Sequence, residues 1–335
     1  MFEGKKILIT GGTGSLGSAL TKRLLNMGVD TIRILSRNEE KQIVMESELN
    51  DDRLRFFLGD IRDLSRLERA FEDIDIVFHT AALKHVPKIE YNPFEAVKTN
   101  VIGSQNVIDA SLKQNVGKVI AIGTDKAVSP FNTYGATKLL MEKLFVDAAN
   151  YVNPEKHRTK FIALRYGNVL GSSGSVIPKF IEQIKNENKI TITDPKMTRF
   201  SITMNEALDF ILESTKMGVG SEVIIPKLKA YTITDIRNIL FELIHDTGEE
   251  IIGIREGEKL HELLISEYEI RDTWEIEDKY ILTNADHEKL ITQAYSQKLQ
   301  HPENQNKYSS EFAEKMSNDE LKSVLEESGL LNNIR

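Results

Sequence analysis

Tyr134 and Lys138 stand at i and i+4 in the run Tyr134-Gly-Ala-Thr-Lys138. On a helix those positions share a face, so a phenol and an ammonium become neighbours. A free tyrosine, with a pKa of about 10, is a poor base at neutral pH. A lysine charge beside it, helped by a second cationic group, favours the phenolate and lowers that value. Such a tyrosine can take a hydroxyl proton while a hydride leaves the same carbon. Upstream, Thr124-Asp125-Lys126 sets a hydroxyl, a carboxylate and an ammonium in a row. Near other cations and partly shielded from water, Lys126 is expected to have a lowered pKa and to serve as a base. Blander readings compete with both. A Y-x-x-x-K pair is common on helix surfaces, and a solvated Asp–Lys pair is worth little.

The stretch Lys5 to Gly17, KKILITGGTGSLG, decides which reading is better. An apolar run breaks into glycines and resumes as helix-compatible sequence. Gly12, Gly14 and Gly17 satisfy G-x-G-x-x-G, and Gly11 offers G-x-x-G-x-x-G. Strand, tight turn and helix in that order let backbone approach a pyrophosphate at a helix N-terminus. Gly11, Thr13, Gly14, Ser15, Leu16 and Gly17 are therefore the expected dinucleotide-binding turn. The next strand ends at Ser36-Arg37-Asn38. An acidic residue there would read a free ribose 2′-hydroxyl and favour NAD. Arg37 can instead pair a 2′-phosphate, which favours NADP, while Glu39 and Glu40 keep NAD open. Asp60 and Ile61 are placed to flank adenine, and Ala81 and Ala82 are small where backbone must approach the cofactor.

The elements that must position these residues follow a regular alternation. Strands are predicted at 7–9, 31–36, 54–59, 75–80, 118–123 and 161–166. Helices are predicted at 18–27, 38–49, 64–71, 93–112 and 133–149. Alternation of this kind implies βαβ units. Strands that are apolar almost throughout imply helices on both faces. The right-handed crossover rule then gives a doubly wound parallel sheet, an α/β NAD(P)-binding Rossmann fold, ordered 3-2-1-4-5-6. Thr124 to Lys126 and Tyr134 follow the fifth strand, at the carboxyl edge where such sheets bind ligands. The pattern changes after about Gly171. We expect a Rossmann domain over 1–170, with 200–217 returning to it, a smaller substrate domain over 171–295, and a tail over 296–335. Gly171–Ser175 reads as a loop, 297–307 as polar and loop-like, and 318–328 as a terminal helix capped at Ser317-Asn318.

The totals narrow the function classes. The chain has 335 residues, 40% hydrophobic and 28% charged, which suits a globular protein with one large or two moderate domains. A net charge of −8 gives no support to broad nucleic-acid or anionic-membrane binding. With no cysteine there are no disulfides, thiolate catalysis or thiolate metal sites. The histidines show no metal-ligand spacing. MFEGKK leads straight into the first strand, and no apolar run approaches the roughly 18 residues of a membrane helix. A cytoplasmic address is expected.

GGTGSLG, SRNEEKQ, AALKHVP, TDKA, YGATK, RYGNVLGSSGSVIPKF, MTRFSIT and GEKLHE occur in this order. In them the chain resembles the extended short-chain dehydrogenase/reductases. More closely, it resembles the UDP-N-acetylglucosamine 4,6-dehydratases (5-inverting) of pseudaminic acid and polysaccharide biosynthesis. The likeness covers about residues 4–265. Glu256 stands where such enzymes usually have proline, and 274–307 has no clear counterpart. The resemblance implies that Thr124 bonds the sugar 4-hydroxyl, Tyr134 is the base for oxidation at C4, and Lys138 holds the nicotinamide ribose. Lys126 would remove the C5 proton, and Asp125 would protonate the departing C6 hydroxyl. Hydride returned to C6 gives a UDP-2-acetamido-2,6-dideoxy-L-arabino-hexos-4-ulose. Retaining dehydratases carry glutamate at the position of Lys126. The resemblance adds Asn100 and Lys84 to the cofactor set. It makes Lys84, Asn168, Val176, Lys179, Arg199, Arg255 and Glu258 substrate contacts, with His85 structural. The implied partner is UDP-N-acetylglucosamine, and a homo-oligomer, dimer or hexamer, is expected. Two other readings remain: a UDP-sugar 4-epimerase using Tyr134 without Lys126, and a non-catalytic NADP-binding sensor.

Overall fold

A computed structural model describes residues 1–151, 153, 155–171, 176–255, 257–295, 299–303 and 306–331. Four residues of the predicted 171–175 loop, Glu256, and parts of 297–307 lie outside them.

Six parallel strands run in the expected order: β1 (Lys6–Thr10), β2 (Thr31–Ser36), β3 (Leu54–Leu58), β4 (Ile76–His79), β5 (Lys118–Ile122) and β6 (Lys160–Leu164), arranged 3-2-1-4-5-6. Their apolar runs feed two cores, because successive side chains leave a strand on opposite faces. Ile7, Ile9, Ile120 and Ile122 enter one cluster with Leu20 and Leu208. Leu8, Val119 and Ala121 enter the other with Val107 and Phe145.

The sheet does not stop at β6. Glu222–Pro226 adds parallel to β6, then Lys279–Leu282 and Thr273–Ile276 add antiparallel, making nine strands. Residues grouped by sequence into a 171–295 unit are therefore shared: 222–226 and 273–282 belong to the large sheet. The helix Met204–Met217 packs on it too, through Leu208, Phe210 and Ile211. A third apolar cluster joins Phe180 and Ile184 of the helix Val176–Lys185, Ile236 and Leu240 of Ile233–Leu243, and Leu321 and Leu325 of the terminal helix Asn318–Glu327. Ser317 caps that last helix through Glu320 N, and Glu320 returns a carboxylate to Ser317 N.

The predicted helix 93–112 is not continuous. It divides into Pro93–Ala96, a π-helical turn Val97–Ile102, and Gly103–Lys113. Such a turn inserts an extra residue and often marks a working site.

The first helix, Ser15–Leu25, begins at Gly14 with no side-chain cap, so its leading N–H groups stay available. Gly17 lets that helix close on the turn: a Cβ there would stand 2.6 Å from Gly12 Cα and 2.8 Å from Gly11 O. Gly17→Ala is expected to cost about 1–3 kcal/mol, as overpacking typically does. Urea unfolding measures this; an unchanged midpoint would show that the turn can yield.

Candidate functional site

At the end of β5 the chain enters a 3₁₀ turn, Asp125–Ala127, whose N-cap is Thr124. Thr124 Oγ1 donates to Asp125 Oδ1 at 2.9 Å, and Lys126 Nζ donates to the same oxygen at 3.0 Å. Lys126 Nζ also donates to Asn168 Oδ1 at 3.0 Å and lies 3.7 Å from Glu262 Oε1. Arg199 Nε stands 3.7 Å from that glutamate oxygen. Asn168 and Arg199 arrive together, because Asn168–Val169 pairs with Ser201–Ile202 of the strand Thr198–Ile202. Asp125 is fully buried, and its Oδ2, like Glu262 Oε2, has no hydrogen-bond partner among the described residues. Orphaned carboxylate oxygens of this kind suit the hydroxyl groups of a ligand.

This geometry corrects the expected behaviour of Lys126. Burial does push its ammonium down, but the carboxylates of Asp125 and Glu262 outweigh that and hold it above the usual lysine value. Burial pushes Asp125 up, reinforced by Glu262 and opposed by Lys126. Burial acts in the same direction on Glu262, where Lys126 and Arg199 prevail and keep the carboxyl low.

The helix Thr133–Asp147 presents Tyr134, half-buried, to this turn. Its approach depends on Gly135, where a Cβ would stand 2.2 Å from Lys126 O. Asn132 caps the helix by accepting from Gly135 N at 2.8 Å, and donates to Gly257 O at 2.8 Å. Burial raises the Tyr134 phenol, with Lys126 and a Thr124 hydrogen bond pulling the other way. The cation that acts on Tyr134 here is thus Lys126. Lys138 instead donates to Ile122 O at 2.6 Å and Met141 Sδ at 3.0 Å. Burial pushes Lys138 down to about 8, against the pull of Glu142.

At the other end of the cleft, Arg37 is half exposed and lies 3.8 Å from Asp60 Oδ2, which also takes a two-pronged contact from Arg62. Ser36 is buried under Gln42 Nε2. Ala81 N donates to Thr10 Oγ1 at 3.3 Å. Asn100, in the π-helical turn, is a bracket: its amide holds Leu83 N and O and Thr137 Oγ1 at 2.8–3.0 Å. Lys84 and His85 are exposed, and His85 is the N-cap residue of the helix Val86–Tyr91.

The remaining expected substrate residues gather away from Lys126. Arg255 Nη1 lies 3.6 Å from Glu258 Oε1, and both act electrostatically on Lys179. Lys179 donates to Thr191 Oγ1 at 2.8 Å. Val176 packs against the third apolar cluster. Sequence reasoning missed Glu262, although it lies in the GEKLHE run. It also missed the tail that seats it. Ser310 Oγ accepts from Glu262 N, and Ser310 N donates to Glu262 O, each at 2.9 Å. No cluster of metal-ligating side chains occurs among the described residues, and none of their helices is long and apolar enough to cross a membrane.

Below the glycine turn, Thr10 Oγ1 meets His79 Nδ1 at 2.8 Å, and His79 Nε2 meets Ser104 Oγ at 3.0 Å. Ser104 Oγ donates onward to Asn100 O, so Nε2 must carry the ring proton and Nδ1 must accept. Burial, then the charge of Lys138, pushes His79 down to about 3. A histidine kept neutral when folded binds fewer protons than when unfolded, so stability is lost as pH falls below about 6.5. Between pH 7 and 5 the loss should be roughly 2 kcal/mol, at about 1.4 kcal/mol per unit. Urea midpoints at both values check this, and His79→Gln should flatten the difference. Equal slopes in variant and wild type would contradict it.

A family model described as polysaccharide biosynthesis protein matches residues 7–284. The chain is 49% identical over 285 residues to a UDP-N-acetylglucosamine 4,6-dehydratase (inverting) of Campylobacter jejuni subsp. jejuni serotype O:23/36 (strain 81-176), a match covering 84% of each chain. It is 42% identical over 285 residues to a UDP-glucose 4-epimerase of Rickettsia conorii, covering 84% of this chain and 83% of the other. The solved structure of Pen from Bacillus thuringiensis, 36% identical, superposes with a TM-score of 0.89 over 98% of this chain and 99% of its own.

Proposed function

We propose that this chain, which belongs to the polysaccharide biosynthesis protein family, is a UDP-N-acetylglucosamine 4,6-dehydratase that inverts C5. The observation that carries this reading is Lys126 paired with the fully buried Asp125 and facing Tyr134 at the carboxyl end of β5, in a chain 49% identical to an inverting dehydratase. The uncapped helix start at Gly14 and the Gly17 contact suit a dinucleotide pyrophosphate. Bound NAD(P) would supply hydride acceptance from C4 and hydride return to C6.

Tyr134 takes the proton of the sugar 4-hydroxyl, with Thr124 beside it. The resulting ketone acidifies the C5 hydrogen. Lys126 and Asp125 then act as a couple. Moving one proton across their 3.0 Å contact turns an ion pair into a neutral amine and a carboxylic acid. The amine takes the C5 proton, and the acid gives its proton to the departing C6 hydroxyl. Water leaves and the ion pair is restored, with no proton imported. C5 is then protonated from the opposite face by solvent, and Tyr134 gives back to solvent the proton it took, which balances the cycle and gives the inverted product. Lys138 orients the nicotinamide ribose, while Arg199, Arg255, Glu258, Lys179 and Asn168 hold the nucleotide-sugar. The exposed Tyr91, Phe94, Ile102 and Leu140 support a homo-oligomer.

Incubation with UDP-N-acetylglucosamine in heavy water tests the reading. The product should lack one water and carry deuterium at an inverted C5. Unchanged mass with a new C4 configuration would mean an epimerase, and no turnover a binding protein. Tyr134→Phe and Lys126→Ala should each lose about 10²–10⁴-fold in rate.

We assign NADP over NAD from Arg37, half exposed just after β2 and, among the described residues, tied by the 3.8 Å approach to Asp60. Arg37→Asp should weaken NADP binding by about 1.5–3 kcal/mol, a charge-assisted contact, and leave NAD little changed. Fluorescence titration of both cofactors decides; equal wild-type affinities would remove the assignment.

A further inference from the structure

Glu262 lies outside the Asp–Lys couple yet meets it. It is 4% exposed, in a site where an unpaired carboxylate would be costly. Its Oε1 stands between Lys126 Nζ and Arg199 Nε, 3.7 Å from each. Its backbone is pinned on both sides by Ser310, and the strand Leu263–Ile265 that follows pairs with Tyr308–Ser309. A residue held by a segment so distant in sequence is held for its position.

We propose that Glu262 is a positioning residue for Lys126: its carboxylate keeps the ammonium charged in the resting site and sets the pH up to which the Asp125–Lys126 couple holds the one proton it works with. This deepens the dehydratase reading and rests on its assignment of Lys126 as the C5 base. The groups facing Lys126 from the packed elements are few. Asp125 lies in its own turn, and Glu262 precedes the strand Leu263–Ile265. Arg199 comes from the strand Thr198–Ile202, Tyr134 from the helix, and Tyr231 from the strand Ala230–Thr232. Lys259 acts on Glu262 and Asp125 while donating to Val128 O at 2.6 Å. His261 turns away, its ring on Thr198 Oγ1 and 3.9 Å from Glu311. Glu262 is therefore the carboxylate besides Asp125 that opposes the two neighbouring cations and the burial of Lys126.

Glu262→Gln keeps the shape and removes the charge. The alkaline limb of the pH profile for deuterium entry at C5, where the couple loses its one proton, should move down by about 1–3 units, the shift typical of losing an opposite charge at this range. Glu262→Asp should move it less. A structural role alone would lower the rate or the melting temperature and leave the profile in place, which would overturn the proposal. A second measurement needs no turnover. In protein labelled with ¹³C at lysine Cε, with Lys126 assigned by Lys126→Arg, NMR follows its titration. Wild type should titrate above the ordinary value of about 10.4, and Glu262→Gln lower than wild type. A wild-type midpoint below that value, or no difference between the two, would overturn the proposal. Wild type that titrates as expected but gives no C5 exchange would instead remove the dehydratase reading and leave the charge coupling standing.

Discussion

Charge balance in a buried space governs the carboxyl end of β5. Asp125 is fully buried, Glu262 and Arg199 are 4% and 8% exposed, Lys126 lies against both carboxylates, and Arg199 lies against Glu262. Bringing one such charge out of water alone would cost several kcal/mol. Two carboxylates and two cations cancel, and each is tolerable only when the others arrive. They come from different parts of the chain: the turn after β5, the strand Thr198–Ile202, and the segment before Leu263–Ile265. The site is completed only as the small strands and the tail dock on the large sheet. Folding and the assembly of this chemistry are one event.

A second balanced group lies behind the first. Arg165, fully buried just after β6, is gripped by Glu142 of the catalytic helix and by Glu269, and donates to Leu264 O at 2.9 Å. One guanidinium between two carboxylates leaves negative charge to be met. Lys138 sits one turn before Glu142 and feels its field. Burial lowers that lysine only to about 8, so at neutral pH it is mostly charged. Its ammonium is thus part of the internal neutrality of the helix. The Arg165 contacts also join the catalytic helix to the segment that carries Glu262, because Leu264 is two residues beyond it.

The half of the fold before Gly171 was legible because its information is local. Several strands are apolar almost throughout, the glycine turn follows the first of them, and Tyr134 and Lys138 fall one helical turn apart. Beyond it the information is in pairings. Glu222–Pro226 and Lys279–Leu282 are ordinary short apolar runs until they lie beside β6 and each other. Glu262 looked like one more charge in GEKLHE, since nothing local says that Lys126 and Arg199 will face it. The misjudged direction of the Lys126 shift has the same origin: burial and nearby cations were anticipated, and the second carboxylate was not. Asn100 was read as a cofactor ligand on a straight helix. In the π-helical turn its amide binds Leu83 and Thr137, a role that sequence alone does not reveal.

On the proposed mechanism the cluster must do two opposed things. At rest it keeps Lys126 protonated, because two carboxylates face one ammonium. During elimination it must offer a neutral amine and a neutral acid. The substrate reconciles the two. A sugar ring entering the cleft displaces water, and a drier site penalises separated charges more than neutral partners. The ketone formed at C4 acidifies the C5 hydrogen, so the amine is needed only once that acid exists. The proton that Asp125 borrows from Lys126 leaves with the hydroxyl, and the one that Lys126 gains comes from C5. Arg199 keeps Glu262 ionised throughout, so the borrowed proton stays within the Asp125–Lys126 couple. An aspartate alone would supply the acid but no base, and a lysine alone would stay charged. Adjacent in one turn, and compensated from the far end of the chain, they form a couple that can start and finish each cycle in the same state.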